Sequence, residues 1–314
     1  GECVEIATGA PVPAGTVAVV PVEQTRIDAS GQVVVDGTIA AGQHIGRRAA
    51  DLAIGTRVVA RGQVLTPSRI GALAATGHRT VEVLARPSVA IVSTGNEVVQ
   101  PGLPLAPGQL YDINRFTLDA VTRRHGGWPV ALASPKDTLD DLRRILGVAM
   151  AHDLIVFSGG SSVGDRDLVR DVIHERGTML FHGIAVKPGK PTACATLASP
   201  DGRTVIFLGM PGNPTSCLSN AYILLIPVLR KMAGLPPWEP QTATVPLARP
   251  IRSASDRHQF YTVRLVTLDG QVMAEPAFKG SGDITSMANA DGYVEIPAST
   301  VSIEAGTMVQ VTLF

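Results

Sequence analysis

Two lysines flank a Pro-Gly corner in the stretch IAVKPGKPTACATL. The corner is stiff, because Pro188 and Pro191 restrict φ while Gly189 permits the turn. Lys187 and Lys190 therefore carry their ammonium groups on a rigid backbone. Such an arrangement suits a preorganised clamp for an oxyanion. The alternative is a hairpin turn whose two lysines are simply solvated.

A glycine- and hydroxyl-rich stretch, SGGSSVGDRD at residues 158–167, follows a predicted buried strand and precedes a helix expected to start near Asp165. Glycines let backbone N–H groups and a helix N-terminus approach a phosphate. The spacing is neither a Walker loop nor a dinucleotide fingerprint, and an ordinary strand-to-helix turn capped by Asp165 is the alternative. The expected substrate-binding residues here are Ser158, Gly159, Gly160, Ser161, Ser162 and Gly164.

A third loop, GMPGNPTS, follows another predicted strand and precedes a helix expected to begin near Pro214. Its prolines and glycines hold an unusual backbone that exposes further N–H groups. In open α/β sheets ligands bind beyond the carboxyl ends of the strands, so such loops share one edge. The expected substrate-binding residues of this loop are Pro211, Gly212, Asn213 and Pro214.

Carboxylates accompany these loops, at Glu97 in STGNE, Asp137, Asp165 and Asp167. Carboxylates beside a phosphate commonly hold Mg²⁺, which keeps several waters and takes one or two protein oxygens. The alternative for Asp137 and Asp165 is helix capping, which local sequence favours for Asp137. No Ser-His-Asp site is indicated, because none of the seven histidines has a triad context, including His182 near the lysines.

The composition excludes some classes of partner. With 27 basic and 27 acidic side chains, the chain has no global field to attract nucleic acid or an anionic membrane, so we expect neither partner. An anion site must therefore be local. At 314 residues and 45% hydrophobic, the chain is long enough for two or three domains.

Cysteine usage and hydropathy indicate a cytoplasmic protein. Cys3, Cys194 and Cys217 lie far apart without C-x-x-C spacing, so neither a disulfide framework nor a zinc site is expected. No apolar run reaches the roughly 18 residues of a membrane span, and there is no signal peptide. The chain opens on GECVEI, a predicted strand, from which we expect that an N-terminal part of the natural protein is missing.

The elements that position these loops divide into four regions. Short Val-rich runs with Gly and Pro turns predict a β-rich module over residues 1–45. TPSRIGALAATG, a helix with a Thr cap and Pro at its first position, lies in a connecting segment, 46–85. Alternating apolar runs and amphipathic helices predict an α/β domain over 86–235, with a mostly parallel sheet covered on both faces. Short alternating strands predict a C-terminal β-barrel over 240–314.

Seven motifs taken together resemble the molybdopterin molybdenumtransferase family, whose eukaryotic relative is the E domain of gephyrin. They occur in order along the whole chain, and the combination is specific although no single motif is. The motifs are ATGAPVPAG, STGNE, YDINR, SGGSSVGDRD, AVKPGKP, GMPGNP and GSGDITSMANADGY. The resemblance implies a homodimeric enzyme that inserts molybdate into adenylylated molybdopterin and releases AMP. It also implies that the α/β domain is of the molybdopterin-binding type and that the chain contacts the molybdopterin adenylyltransferase.

The resemblance also implies roles for individual positions. Those that match family functional residues are Thr8, Asp51, Glu97, Asp137, Asp167, Lys187, Lys190, Pro211 and Pro214, and, in a looser alignment, Arg257 and Ser281. Two positions depart from the family pattern: Asn96 replaces the usual Asp of STGDE, and Gly183 stands where many members have Lys. The clamp thus has fewer cations, or borrows Arg257 from the barrel. An acidic residue of the family's N-terminal segment lies outside this sequence, which leaves the activity of the chain by itself open.

These residues suggest a mechanism. Lys187 and Lys190 would hold molybdate by charge-assisted hydrogen bonds, while the SGGSSVG loop takes a substrate phosphate. Mg²⁺ on Glu97 and Asp167 would neutralise the phosphoanhydride and help AMP depart. Two alternatives stay open: a molybdopterin adenylyltransferase-type or other pterin-binding paralogue, which usually lacks both terminal β regions, and a non-catalytic binding or scaffold protein.

Overall fold

The computed structural model describes residues 2–136, 138–159, 168–253 and 256–314. The chain forms two compact units, Gly1–Val81 and Glu82–Phe314. In the first unit, a 3₁₀ turn at Val22–Gln24 leads into the antiparallel strands β1 (Thr25–Ile27) and β2 (Val33–Val35).

The helix predicted in the first unit is confirmed as α1, Pro67–Ala75. The hydroxyl of Thr66 accepts a hydrogen bond from the backbone N–H of Arg69 at 3.4 Å, and proline occupies the first turn, where its missing N–H costs nothing. Local sequence signals are therefore sufficient to place this helix.

The second unit contains the remaining regular elements. Its strands are β3 (Ser88–Ser93), β4 (Val98–Val99), β5 (Leu110–Tyr111), β6 (Trp128–Ala131), β7 (Leu154–Ser158), β8 (Gly177–His182), β9 (Val186–Lys187), β10 (Ala193–Ala198), β11 (Thr204–Met210), β12 (Thr242–Pro246), β13 (Ile251–Arg252), β14 (His258–Leu268), β15 (Gln271–Pro276), β16 (Gly292–Ile296), β17 (Ser302–Ile303) and β18 (Met308–Leu313). Its helices are α2 (Asn114–Arg124), α3 (Leu139–Ala149), α4 (Leu168–Arg176), α5 (Pro214–Asn220), α6 (Ile226–Met232) and α7 (Thr285–Ala288). Among the described residues, no helix is both long and apolar enough to cross a membrane.

The central sheet has the order β6-β3-β7-β11-β10-β8. Strands β6, β3, β7 and β11 are parallel, whereas β10 is antiparallel to both β11 and β8. Alternate residues of β3 point to two separate cores: Ala90 and Val92 pack with α3 and α4, and Val89 and Ile91 pack with α2, α5 and α6. The expected α/β domain with a mostly parallel sheet covered on both faces is confirmed.

One helix start and one helix interior differ from the expectation drawn from the sequence. The N-cap of α3 is Thr138, whose hydroxyl accepts from the N–H of Asp141 at 3.3 Å, while Asp137 lies outside the described residues. The helix predicted to begin near Pro214 is interrupted by a π-helical turn, Ala221–Leu225, between α5 and α6. Pro227 lacks an N–H and its ring crowds the carbonyl of the preceding turn, which accounts for the widened helix there.

The C-terminal region is a five-stranded sheet, β12-β18-β16-β14-β15, with β9 added to β14 and with β13 and β17 paired beside it. Its edges approach each other at a single bridge, Leu247 with Ala274, where the N–H of Ala248 donates to the Ala274 carbonyl at 2.8 Å. The described strands therefore form a β-rich domain that is not closed into the expected barrel, because one bridge does not make a ladder.

A series of aromatic contacts joins the α/β region to this C-terminal sheet. Ring centroids are 5.7 Å apart for His125 and Trp238, 5.3 Å for Trp238 and Tyr222, 5.0 Å for Tyr222 and Phe314, and 5.8 Å for Phe314 and Tyr293. His125 is buried, and its Nδ1 has no hydrogen-bond partner among the described residues. Burial, assisted by neighbouring arginines, lowers the pKa of its imidazole to about 4.

We expect His125 to make the second unit sensitive to acid. Because its pKa is lower in the folded than in the unfolded chain, the unfolded state binds the proton first, and stability falls as pH drops from about 6.5 toward 4. His125→Asn removes the titrating imidazole, so the urea midpoint of the variant should fall less than that of the wild type between pH 6.5 and 4. Urea titrations at pH 7, 5.5 and 4.5 measure the difference. An NMR titration giving an imidazole pKa near 6.5 would contradict the account.

Candidate functional site

Three parallel strands of the central sheet end at one level. Ser93, the last residue of β3, pairs in register with Ser158, the last residue of β7, and Ser158 pairs with Met210 at the end of β11. The loops that follow therefore start side by side at the carboxyl edge of the sheet, where open α/β sheets bind ligands. This edge brings together the STGNE, SGG and PGNP stretches.

The first two of these loops are held in close contact. The Thr94 N–H donates to the Ser158 carbonyl at 2.9 Å, and the Gly159 N–H donates to the Met210 carbonyl at 3.1 Å. Gly159 has φ +88°, and a Cβ at this position would lie 2.8 Å from the Thr94 carbonyl oxygen. Only glycine meets both requirements, so Gly159 is needed for the backbone approach and not only for flexibility.

Asn114, the first residue of α2, ties the SGG and PGNP loops together. Its Nδ2 donates to the Ser158 hydroxyl at 2.6 Å and to the Gly212 carbonyl at 2.7 Å. Both Asn114 and Ser158 are buried. Asn114 belongs to the YDINR motif, which has no functional role predicted from its sequence. Its position at the start of a helix between two strands is the only sequence signal that could have suggested one.

The PGNP loop also contacts the C-terminal domain. The Asn213 side chain donates to the Ser281 hydroxyl at 2.9 Å, and the Thr215 N–H donates to the Ser281 carbonyl at 3.2 Å. The Thr215 hydroxyl donates to the Asp283 carbonyl at 2.7 Å. Ser281 thus lies at this edge of the sheet although it is 68 residues from Asn213 in the chain.

The KPGKP turn is joined to the same domain by a strand. Strand β9 pairs in parallel with β14, Val186 with His258 and Lys187 with Gln259. Arg257 donates from Nη1 to the Val186 carbonyl at 3.3 Å, so its guanidinium lies beside the lysine-bearing turn. Lys187 is half-buried and Lys190 is exposed. The predicted cations Lys187 and Arg257 are therefore on adjoining segments.

Gly183, where the family resemblance implies a lysine in many members, has a backbone conformation that favours glycine. Gly183 has φ +89°, a region that side chains other than glycine rarely adopt. The nearest atom to a Cβ built there is the Lys190 carbonyl oxygen, at 3.9 Å, so space is not the obstacle. A lysine at this position would need a different local backbone. Arg257 is the cation that the described residues supply next to the turn.

The remaining expected positions make no hydrogen bond to the lysine turn or to the SGG and PGNP loops among the described residues of the second unit, lie in the first unit, or fall outside the described residues. Glu97 is exposed, and its carboxylate folds back over Gly95, where a Cβ would lie 2.6 Å from Oε1. Thr8 and Asp51 are exposed in the first unit. Six expected residues, together with the suggested cap Asp165, lie outside the described residues: Asp137, Gly160, Ser161, Ser162, Gly164 and Asp167. Within the described ranges, no three His, Cys, Asp or Glu side chains are grouped to hold a metal.

A buried thiol lies beneath the loops. Cys217 is fully buried, its Sγ lies 3.9 Å from the Ser158 hydroxyl, and burial raises the pKa of the thiol to about 12. The thiol is therefore protonated at neutral pH and is a packing group rather than a nucleophile.

Comparison with known proteins covers nearly the whole chain. Residues 1–77 match the family model described as MoeA N-terminal region (domain I and II), 90–231 the probable molybdopterin binding domain, and 244–314 the MoeA C-terminal region (domain IV). Molybdopterin molybdenumtransferase 2 of Mycobacterium tuberculosis is 37% identical over 98% of the chain and 76% of that protein. The chain belongs to the molybdopterin molybdenumtransferase family.

Other members agree with this assignment. A molybdopterin molybdenumtransferase of Nostoc is 32% identical over 98% of the chain and 71% of its own length. The crystal structure of the molybdopterin biosynthesis MoeA protein from Pyrococcus horikoshii matches with TM-score 0.77 and 35% identity, over 98% of this chain and 74% of that one. The family resemblance and the class of fold predicted from the sequence are confirmed. The chain spans about three quarters of the length of these relatives.

Two glycine variants separate backbone strain from the loop contact. Gly159 and Gly202 both have positive φ, but a Cβ at Gly202 meets nothing within 4 Å. Gly202→Ala should cost about 1–2 kcal/mol through φ alone, while Gly159→Ala adds a clash with Thr94 and should cost more. Urea midpoints measure stability, and amide NMR shifts of Thr94 and Met210 report the loop. If Gly159→Ala is as stable as Gly202→Ala and leaves the Thr94 amide shift unchanged, the proposed clash with Thr94 is refuted.

Proposed function

We propose that this chain inserts molybdate into adenylylated molybdopterin and releases AMP, as a step of molybdenum cofactor biosynthesis. The observation that carries the proposal is the placement of two cationic residues on adjoining segments of two domains, with Lys187 on β9 and Arg257 directly before β14. Membership of the molybdopterin molybdenumtransferase family over nearly the whole chain supports it.

The lysine turn is the proposed molybdate clamp. Molybdate is a tetrahedral dianion, and cationic N–H donors bind such anions by charge-assisted hydrogen bonds. Lys187 is half-buried, so its charge acts in a less polar environment than bulk water, and the exposed Lys190 remains accessible to an incoming ion. Arg257 adds a guanidinium beside the turn, in place of a lysine at Gly183, and its Nε also lies 3.7 Å from the exposed Asp256 carboxylate.

The strand-end loops are the proposed site for the pterin nucleotide. Gly159 and Gly212 keep the backbones of two loops close enough that a Cβ on Gly212 would lie 3.5 Å from the Gly159 Cα. Bare backbone of this kind lets N–H groups approach a phosphate. The further residues assigned to substrate binding or catalysis are Thr8, Asp51, Asp137, Ser158, Gly160, Ser161, Ser162, Gly164, Pro211, Asn213, Pro214 and Ser281.

Mg²⁺ is the proposed metal, held by Glu97 and Asp167. The donor chemistry fits, because Mg²⁺ prefers carboxylate oxygens and needs only one or two of them beside a substrate phosphate. Glu97 is exposed just after β3, at the edge where the phosphate would lie. Bound Mg²⁺ would supply Lewis-acid neutralisation of the phosphoanhydride. The role of Glu97 itself is to present a carboxylate oxygen there.

The proposal includes a cytoplasmic homodimer that contacts the molybdopterin adenylyltransferase, as the family resemblance implies. The two alternatives have less support. Pterin-binding paralogues usually lack both terminal β regions, whereas the family match runs through all three regions of this chain. A purely scaffolding role would require neither lysine, and both are present in the turn.

Lysine removal tests the clamp. In the full-length protein, Lys187→Ala and Lys190→Ala should each raise the molybdate Kd about tenfold or more, which corresponds to about 1.4 kcal/mol. The Kd for adenylylated molybdopterin should stay within about twofold, because that ligand uses the strand-end loops. Calorimetric titration measures both. Lys231→Ala, a change to an exposed lysine in the last turn of α6, is the matched control. If both lysine variants bind molybdate with wild-type affinity, the proposed clamp is wrong.

Metal titration tests the carboxylates. Glu97→Gln and Asp167→Asn should make AMP release respond poorly to Mg²⁺, shifting half-activation to about tenfold higher metal, because a neutral amide binds a hard cation weakly. Asp269→Asn, in an exposed turn of the C-terminal domain, serves as control. The proposal fails for these carboxylates if the Mg²⁺ titration of both variants superimposes on that of the wild type.

A further inference from the structure

A buried asparagine contacts the lysine turn from the last residue of α5. Asn220 is fully buried, and its Nδ2 donates to the Gly189 carbonyl at 3.0 Å and to the Thr192 hydroxyl. Thr192 is also fully buried, and its hydroxyl donates to the same Gly189 carbonyl at 2.8 Å. The three residues thus form a closed network around the carbonyl at the centre of KPGKP.

The shape of the turn depends on this contact. Gly189 has φ +113°, and a Cβ there would lie 2.5 Å from both Nδ2 and Oδ1 of Asn220. The glycine therefore permits an unusual φ and also leaves the space that the Asn220 amide occupies. An alanine at position 189 is therefore incompatible with Asn220 in this geometry, because its Cβ would lie far inside the van der Waals distance of the Asn220 amide.

The asparagine is retained at a cost. Its Oδ1 is buried and has no hydrogen-bond partner among the described residues. An unsatisfied buried carbonyl destabilises a protein, whereas an apolar side chain of similar volume would avoid the penalty. The two N–H groups of the amide are thus the reason for an asparagine here, and both are directed to the turn that carries the lysines.

Helix α5 connects this network to the neighbouring loop. The helix begins at Pro214, directly after the PGNP loop, and ends at Asn220, seven residues in all. Its rise is about 10 Å, and a helix is stiff over that length. The proposed sites for the two substrates are therefore joined through one short rigid element, at whose ends Asn213 contacts Ser281 and Asn220 contacts Gly189.

We propose that Asn220 is a positioning residue for the molybdate clamp: with Thr192, it fixes the Gly189 carbonyl and thereby the relative placement of the Lys187 and Lys190 ammonium groups. This inference rests on the proposed function. Asn220 is fully buried and does not reach the ion itself. Its effect is to hold the clamp ready before molybdate arrives, so that binding requires little reorganisation.

Asn220→Leu in the full-length protein is the principal test, because leucine has a similar volume and no amide. We expect the molybdate Kd, and the KM for molybdate in AMP release, to rise about tenfold. The adenylylated molybdopterin Kd should stay within about twofold, and kcat at saturating molybdate should change less than KM. Thr192→Val should act in the same direction. The double variant should be no worse than the more affected single variant, since both changes break one network.

Ser219→Ala is the matched control, since Ser219 is the adjacent buried residue of the same helix and should leave both affinities unchanged. Thermal unfolding checks each variant. Equal weakening of both substrates, or molybdate affinity within twofold of wild type in Asn220→Leu, would overturn the inference. If Asn220→Leu does not fold, the molybdate Kd of Thr192→Val is used instead, with the same thresholds. If the wild-type protein binds no molybdate, the proposed function is overturned as well. If Asn220→Leu binds molybdate like the wild type while the lysine variants bind it more weakly, only this inference is overturned.

Discussion

Two residue pairs of a parallel ladder, Val186 with His258 and Lys187 with Gln259, are the constraint on which the candidate site depends. They make a segment of the α/β region part of the C-terminal sheet. Because the ladder fixes both backbones, Lys187 and Arg257 are placed on adjoining segments. The proposed anion site therefore lies where the two domains pair.

The charge distribution is consistent with this arrangement. The chain has equal numbers of acidic and basic side chains, so a small dianion is not drawn by the field of the whole protein. Several cations placed close together on a rigid turn must therefore attract the dianion instead of the field of the whole protein. In the proposed site, the buried network of Asn220 and Thr192 supplies the rigidity, and Arg257, directly before β14, supplies the additional cation.

Features set by local sequence could be predicted. The Thr66 cap and the apolar runs of the parallel strands depend on neighbouring residues, and both were confirmed. Contacts between distant segments could not be predicted from pattern. Asn114 reaches Gly212 across 98 residues and Asn220 reaches Gly189 across 31, and neither position has a distinctive spacing. Closure of the C-terminal sheet could not be predicted either, because it depends on contact between its two edge strands. In the structure these edges share only the bridge between Leu247 and Ala274 among the described residues. Arg257 and Ser281 were expected only through the family resemblance.

The central claim is that molybdate binds where the lysine turn meets β14. Anomalous diffraction at the molybdenum absorption edge, from crystals of the protein soaked in molybdate, tests it most directly. The account predicts one strong anomalous peak within hydrogen-bonding distance of the Lys187 and Lys190 ammonium groups and the Arg257 guanidinium. A peak located elsewhere on the protein, with none at this turn, would contradict it.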